Sequence, residues 1–238
     1  NTTLYSNYSF EKESQQLINK LKKLSKKKLG LLMKLSPQLV DLNHQRYQEW
    51  SIPFDVLNSK QAGFVFTGEV YKGLGIDTLS EEDLNKAQEK LRILSGLYGV
   101  IKPLDLIQPY RLEMGTKLDY NSKIKNLYQF WGSKITDSIN QELKEDDGIL
   151  VNLASTEYFK VVKPKDITGE VITCNFKENK NDVYKIVMMY AKNARGKKAR
   201  FIIENDLKNK EELKAFDVDG YVFNPRLSSE TEYIFTRG

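Results

Sequence analysis

Helical and strand-like patterns alternate irregularly along this chain, and that order constrains the fold more than any single motif does. Four segments carry apolar residues at helical spacing or open with helix-capping residues: 10–35, 36–50, 80–91 and 126–143. Six short apolar runs predict strands: 62–74, 149–155, 170–176, 183–191, 220–224 and 232–237. Two further helices are predicted at residues 193–207 and 210–216. Because helices and strands are intercalated, the sequence predicts an α+β or mixed α/β fold.

The predicted architecture is one compact domain over residues 1–238, with a mixed sheet flanked by helices. A chain of 238 residues can bury one substantial core. A hydrophobic content of 40% and a charged content of 29% are typical of globular proteins. The sequence shows no internal repeat and no low-complexity linker. A monomer is the expected state.

Positive charge is concentrated in two segments of the chain, whose formal net charge is +5. Residues 1–35 contain eight lysines against two glutamates and predict the first part of a helical hairpin with its lysines outward. Ser36 and Pro37 predict the N-cap and first turn of the second helix. Residues 191–200 contain five cations and no acid. Such segregation favours a polyanionic partner, although two solvated helix faces explain it equally well.

The residues that commonly build catalytic and metal sites are scarce. His44 is the single histidine and Cys174 the single cysteine, so the sequence predicts no zinc site and no Ser-His-Asp triad. Cys174 alternates with Ile172 and Phe176, which predicts a place on the buried face of a strand. No nucleotide-binding glycine motif follows a strand, and no cofactor is expected. With no signal peptide and no apolar run of membrane-spanning length, the protein is expected to be cytoplasmic.

Residues 91–115 hold the least ordinary motif of the chain. Gly96 and Gly99 are separated by two residues, and Lys102 and Pro103 follow. Glycines permit a tight turn and a close approach of the backbone to a ligand. A helix-hairpin-helix-like element would use such a turn to offer backbone N–H groups to a phosphate, although its usual spacing is Gly-x-Gly. A plain turn between two packed elements is an equal alternative.

Two other segments offer an alternative, enzymatic interpretation. Arg111 and Glu113 are two residues apart, so both point to one face of an extended chain. A polar cluster follows a predicted strand, where sites are commonly built: Asn152, Ser155, Glu157 and Tyr158. Together these groups suit hydrolysis or transfer on a phosphorylated small molecule or nucleotide, with Glu113, Ser155, Glu157 and Tyr158 as the candidate catalytic residues. A surface ion pair and a Ser155 N-cap are the structural alternatives.

The helix predicted at residues 193–207 begins among cations. Basic residues near a helix N-terminus oppose the helix dipole. A bound phosphate would relieve that conflict, because it is attracted both by the cations and by the unbonded N–H groups of the first turn.

Five blocks of the sequence closely resemble the YaaA family of bacterial peroxide-stress proteins. They are GEVYKGL, LRILSGLYGVIKPLDLIQPYRLEMG, LYQFWG, LVNLASTEYFKVVKPK and YAKNARGKKARFIIEN, and they are distributed over most of the chain from Phe10 onward. The resemblance implies a cytosolic protein of mixed α/β fold that protects the cell from hydrogen peroxide and is linked to limiting intracellular iron. It also implies binding of duplex DNA through a helix-hairpin-helix-like element and a positively charged cleft.

Carried onto this chain, the helix-hairpin-helix-like element falls on residues 94–103. The expected DNA-binding residues are Lys72, Gly96, Tyr98, Gly99, Lys102, Arg111, Lys192, Arg195, Lys197, Lys198 and Arg200. Tyr71, Tyr98 and Tyr110 are expected to stack on exposed bases or to line the cleft. The partner would be duplex or damaged DNA, held by its phosphates with little sequence preference and a steep salt dependence.

Members of the YaaA family typically begin with a short strand and a Ser-Pro-Ala-Lys-Thr segment. The present sequence lacks that segment ahead of its matching part. The chain is therefore expected to be missing its natural start.

Overall fold

The computed structural model describes residues 2–238. Its α-helices are α1 (Glu11–Lys22), α2 (Lys26–Met33), α3 (Pro37–Glu49), α4 (Glu69–Leu74), α5 (Glu81–Lys90), α6 (Leu127–Trp131), α7 (Lys134–Leu143), α8 (Thr156–Phe159) and α9 (Met188–Glu204). Its strands are β1 (Lys60–Gln61), β2 (Ile93–Ser95), β3 (Gly99–Ile101), β4 (Leu106–Ile107), β5 (Ile149–Asn152), β6 (Glu170–Lys180), β7 (Val183–Lys185), β8 (Val222–Phe223) and β9 (Glu232–Arg237). Helices and strands are intercalated and the main sheet is mixed, in agreement with the predicted fold class.

The largest sheet is mixed and has the order β5-β6-β9-β8, with β7 paired to the end of β6. The pairs β5–β6 and β6–β9 are parallel, whereas β6–β7 and β8–β9 are antiparallel. On β6, Ile172, Cys174 and Phe176 are at most 1% exposed, so one face of the sheet is sealed. The predicted mixed sheet and the buried position of Cys174 are confirmed.

A second core lies on the other side of the molecule and is built mainly by helices. It joins α1, α3, α6 and α7 to the β2–β3 hairpin, with Trp131 and Tyr98 fully enclosed at its centre. The indole Nε1 of Trp131 donates a hydrogen bond of 3.1 Å to the carbonyl oxygen of Gly96. Because an indole N–H needs a partner when it is buried, this bond fixes the hairpin against α6.

Helix α9 connects the two parts of the molecule, because it has two buried faces. Ala191 and Ala194 pack on the sheet, while Ala199 and Ile203 pack against α4 and α5. Its contact with α4 is made backbone to backbone. A side chain at Gly73 would collide with the carbonyl oxygen of Asn193, and one at Gly196 would collide with that of Val70. Only glycines permit helices to approach this closely.

The capping residues that the sequence indicates are used as predicted. The hydroxyl oxygen of Ser36 accepts from the amide of Leu39 at the start of α3, and that of Ser80 accepts from the amide of Asp83 at the start of α5. Two predicted long helices are interrupted. Ser25 caps a new helix inside residues 10–35, and Gly132, at φ 56°, ends α6 before α7 begins.

Three predictions of secondary structure were wrong. Residues 62–74 form a 3₁₀ turn and α4 instead of a strand, because a short apolar run fits either a strand or a buried helix. Residues 183–191 form β7 and then the start of α9, which therefore begins five residues earlier than predicted. Residues 94–103 form a β-hairpin between β2 and β3, so helices do not flank this turn.

The α4–α9 contact can be tested at Gly196. Replacing Gly196 with Ala should lower the free energy of unfolding by about 2 kcal/mol, because the added methyl group forces the two backbones apart. Helix propensity alone would favour the change by about 1 kcal/mol. Urea denaturation followed by circular dichroism measures the difference. Gly68→Ala is the control, since Gly68 lies at φ −68° and its nearest neighbour would be 3.9 Å from the new atom; equal stability of the two variants would contradict the close contact.

Candidate nucleic-acid interface

The glycine hairpin lies in the core instead of on the surface. Gly96 and Gly99 are buried and Tyr98 is 0% exposed. The amides of Leu97 and Tyr98 both donate to the hydroxyl of Ser95, at 3.2 and 2.9 Å. These N–H groups are therefore already bonded within the protein and are not free to bind a phosphate. The hairpin turns the chain and packs; its glycines and Tyr98 are not available to DNA.

The five cations of residues 191–200 have very different surroundings. Lys197 forms an ion pair with Asp219. Arg200 pairs with Glu204 at 2.8 Å and also donates to the carbonyl oxygens of Leu74 and Gly75, which fastens α9 to the end of α4. These two side chains are committed to contacts within the protein.

Lys198 is 0% exposed, so it cannot contact DNA. Its ammonium group donates to the carbonyl oxygen of Leu213 and lies 4.5 to 5.2 Å from the ring centroids of Phe201, Phe216 and Phe235. Burial lowers the pKa of Lys198 to about 8. The aromatic rings offset part of the cost of desolvation through their negative faces. Lys198 is thus a core residue.

Three cations of α9 form no ion pair among residues 2–238: Lys192, Arg195 and the enclosed Lys198. Lys192 is exposed. Arg195 is half-buried, its Nε finds no hydrogen-bond partner within the described chain, and burial lowers its pKa. Since α9 begins at Met188, its first turn carries no charge, and the predicted conflict with the helix dipole is absent there.

The other predicted DNA contacts are distributed over separate elements. Lys72 is exposed but bonded to Glu69 at 2.6 Å, and Arg111 is bonded to Glu113 at 2.8 Å. Lys102 is half-buried. Each ion pair reduces the local positive field, so these residues contribute less attraction for a polyanion than their number indicates.

The tyrosines that were predicted to stack on bases are packed against other side chains of the protein. Tyr71 stacks on Phe66, with ring centroids 4.9 Å apart, and burial raises its pKa. The hydroxyl of Tyr110 lies 2.6 Å from that of Ser95. Both rings form part of the helical core, as Tyr98 does. A nucleic acid would have to use other aromatic side chains.

The structure assembles most of the alternative, enzymatic cluster. Glu157 accepts a 2.8 Å hydrogen bond from the amide of Gly115, which connects α8 to the segment that carries Arg111 and Glu113. Burial, followed by the charges of Glu157 and Glu113, raises the pKa of Tyr158 to about 12. Tyr158 is therefore protonated at neutral pH and can donate a hydrogen bond. It cannot act as a base there.

Asn152 and Ser155 have structural roles next to this cluster. The amide group of Asn152 donates to the hydroxyl of Thr173 and accepts from the amide of Ala154, so it connects β5 to β6. The hydroxyl of Ser155 accepts from the amide of Tyr158 as the N-cap of α8. The interpretation of Ser155 as a cap is confirmed.

A group of exposed lysines lies where α1 meets α2. We call Lys23, Lys26, Lys27 and Lys28 the junction lysines; all are exposed, and only Lys26 forms an ion pair within residues 2–238, with Asp41 at 2.6 Å. None is among the expected DNA contacts, although the charge of residues 1–35 already indicates them.

The junction lysines surround a helix N-terminus. Lys26, Lys27 and Lys28 form the first turn of α2, which contains no acid. The hydroxyl oxygen of Ser25 accepts a hydrogen bond of 3.4 Å from the amide of Lys28, and its carbonyl oxygen accepts one of 2.9 Å from the amide of Leu29. The first two amides of the helix point to solvent, as helix geometry requires. The first turn of α2 therefore combines a positive dipole end with three lysines, of which Lys26 is paired with Asp41, and this combination favours an anion.

Within residues 2–238 no group of three or more His, Cys, Asp or Glu side chains is placed to hold a metal ion. No helix in the same range is long and apolar enough to cross a membrane.

Comparison with known proteins gives consistent matches over nearly the whole chain. A family model described as peroxide stress protein YaaA matches residues 1–227. A UPF0246 protein of Acaryochloris marina is 53% identical over 224 residues, which cover 94% of this chain and 88% of the relative. UPF0246 proteins of Shewanella woodyi and Aliivibrio fischeri are each 50% identical over 237 residues, covering 99% of this chain and 92% and 91% of those relatives.

The enclosure of Lys198 predicts a pH dependence of stability. Its pKa is about 8 in the folded chain, whereas an unfolded lysine has a pKa of about 10.4. Between these values the unfolded chain binds more protons, so stability rises with pH. From pH 7 to pH 9 the wild type should gain about 1 kcal/mol in free energy of unfolding relative to Lys198→Met. Urea denaturation at both pH values measures this gain.

Lys192→Met is the matched control for this experiment, because Lys192 is exposed. It should follow the pH dependence of the wild type. If Lys198→Met also followed the wild type, Lys198 would not be a desolvated lysine.

Proposed function

The chain belongs to the peroxide stress protein YaaA family, and on that premise we propose that it protects the cell from hydrogen peroxide by binding the phosphate backbone of DNA. Membership of the family carries the role in peroxide stress. The binding of duplex or distorted DNA is our own proposal, supported by the distribution of unpaired charge.

The junction lysines carry the proposal. Seven of the eight lysines in residues 1–35 form no ion pair with the described part of the chain. Lys20 and Lys22 donate to the carbonyl oxygens of Tyr120 and Trp50, which leaves Lys12, Lys23, Lys27, Lys28 and Lys34 exposed. A surface of this kind gains free energy by displacing counterions from phosphates.

The mode of binding follows from the groups involved. Ammonium groups and helix-terminal amides contact phosphates, which every base sequence presents alike. Affinity is therefore nearly independent of sequence and falls steeply as salt rises. DNA that is covered in this way is shielded from oxidants produced by peroxide.

The proposal treats the link to intracellular iron as indirect. The chain contains one histidine and one cysteine, which are the ligands that a dedicated iron site would most readily use. Protection of DNA and a lower iron level would then be two outcomes of one stress response.

The alternative is an enzyme that acts on a phosphorylated small molecule or nucleotide at Arg111, Glu113 and Glu157. Arg111 would bind the phosphate, but in this structure its guanidinium group forms an ion pair with Glu113. The anion must therefore compete with a carboxylate 2.8 Å away. Three of the junction lysines, Lys23, Lys27 and Lys28, form no ion pair within residues 2–238 and face no such competition, and this difference favours the DNA proposal.

The triple variant Lys23→Gln, Lys27→Gln, Lys28→Gln tests the proposal. Fluorescence anisotropy with a labelled duplex at several salt concentrations should show weaker binding. The slope of log K against log salt should become shallower by about 0.9 for each lysine that contacts a phosphate.

A second triple variant, Lys60→Gln, Lys144→Gln, Lys165→Gln, is the control. It changes net charge equally at three exposed lysines of other elements. An equal loss in both variants would show that binding depends on net charge and not on the junction. No binding by the wild type even at low salt would reject the proposal and leave the enzyme as the better explanation.

A further inference from the structure

A cleft of about 170 Å³ opens between α9, α4 and the end of β9. Tyr190, Asn193 and Arg237 line it, together with Met189, and two carboxylates, Glu69 and Asp219, lie at its wall. None of the first three was expected to have a function from the sequence. The sequence did not indicate a site at Tyr190, because residues 183–191 were predicted as a strand, whereas Tyr190 lies in the first turn of α9.

The aromatic wall of the cleft is held rigidly. The guanidinium carbon of Arg237 lies 4.8 Å from the ring centroid of Tyr190 and 4.6 Å from that of Tyr221. Its Nε donates to Glu178 at 2.7 Å, and the hydroxyl of Tyr221 donates to the other oxygen of that carboxylate. Yet the Tyr190 residue remains 44% exposed. A fixed ring with open surface is a ready stacking platform.

The polar groups of the cleft suit the edge of a base better than a phosphate. The side-chain amide of Asn193 forms no hydrogen bond with the described part of the chain, so it can both donate and accept. Glu69 and Asp219 repel a phosphate, but their oxygens can accept from the amino group of adenine, cytosine or guanine. Both carboxylates pair with lysines, Lys72 and Lys197, and their remaining lone pairs can accept from a base.

Exposed lysines flank Tyr190 along the chain, one before it and one after it. Lys192 is exposed two residues after Tyr190, and Lys185 is exposed in β7 just ahead of α9. Neither forms an ion pair within residues 2–238. Alternation of aromatic and basic side chains is the pattern by which proteins hold single-stranded nucleic acid.

We propose that this cleft holds one unstacked base of a DNA strand, with the base stacked on Tyr190 and its edge bonded to Asn193. The inference rests on the proposed DNA binding and adds to it a preference for DNA with an unstacked base over fully paired DNA. The junction lysines attract any duplex, whereas this cleft favours DNA in which a base has already left the stack. Unpaired and damaged bases leave the stack most cheaply.

The test compares two labelled duplexes that differ only by one extra, bulged adenine in one strand; the other duplex is fully paired. The wild type should bind the bulged duplex at least about fivefold more tightly, because stacking on an aromatic side chain is worth about 1 to 3 kcal/mol per base. Tyr190→Ala should remove this preference and leave the affinity for the paired duplex unchanged. Tyr190→Phe, which keeps the ring, should retain it.

Two further variants complete the test. Tyr5→Ala is the matched control, since Tyr5 is also an exposed tyrosine, at 55%, and should change nothing. Asn193→Ala keeps the stacking platform and should reduce the preference, so the inference stays testable if Tyr190→Ala fails to fold. Replacing adenine with 2-aminopurine in the bulge adds a direct signal, because stacking on Tyr190 quenches its fluorescence.

The outcomes separate this inference from the proposed function. Equal affinity of the wild type for both duplexes, or a preference that survives in folded Tyr190→Ala and Asn193→Ala, overturns the base site and leaves backbone binding intact. No affinity for either duplex rejects both. The Lys23→Gln, Lys27→Gln, Lys28→Gln variant should bind both duplexes more weakly by the same factor, because the three lysines that it removes contact only phosphates.

Discussion

The backbone contact between α4 and α9 is the constraint on which the rest of the structure depends. Gly73 and Gly196 remove the side chains that would hold the two helices apart. With the gap closed, one face of α9 seals the sheet and the other completes the packing of α4 and α5. The same contact places Asn193 of α9 beside Glu69 of α4, so the cleft exists because the helices touch.

The pairing of charges decides which of the many cations are available to a partner. In residues 191–200, five cations suggest a basic patch, but two are in ion pairs and Lys198 is enclosed by aromatic rings. Among the junction lysines, only Lys26 is paired within residues 2–238, and the exposed Lys23, Lys27 and Lys28 form no ion pair there. An exposed ion pair is worth little to stability, yet it cancels the field that a phosphate would feel. For binding, unpaired charge matters more than total charge.

Much of the fold was predictable from local patterns. The caps at Ser36 and Ser80, the strand with buried Cys174 and the strands near the C-terminus were identified correctly, because each depends on neighbours in the sequence. The errors have a common cause. The segment that became α4 is apolar and short, and only contact with α9 makes a helix its better choice. For the glycine hairpin, contact with a phosphate and a plain turn were equal alternatives from the sequence, and the bonds from Trp131 and to Ser95 satisfy its backbone from inside the protein, as a plain turn would.

By itself, the sequence determined the fold class and the surplus of lysines in residues 1–35, since composition and local periodicity carry that information, and the resemblance of five sequence blocks indicated the family. Tertiary structure decided whether each candidate side chain is exposed, buried or paired. It buried Tyr98 and Lys198, paired Arg111 with Glu113, and brought Tyr190 and Arg237 together from positions 47 residues apart. Burial and charge pairing depend on neighbours that are distant along the chain, and no local pattern records them.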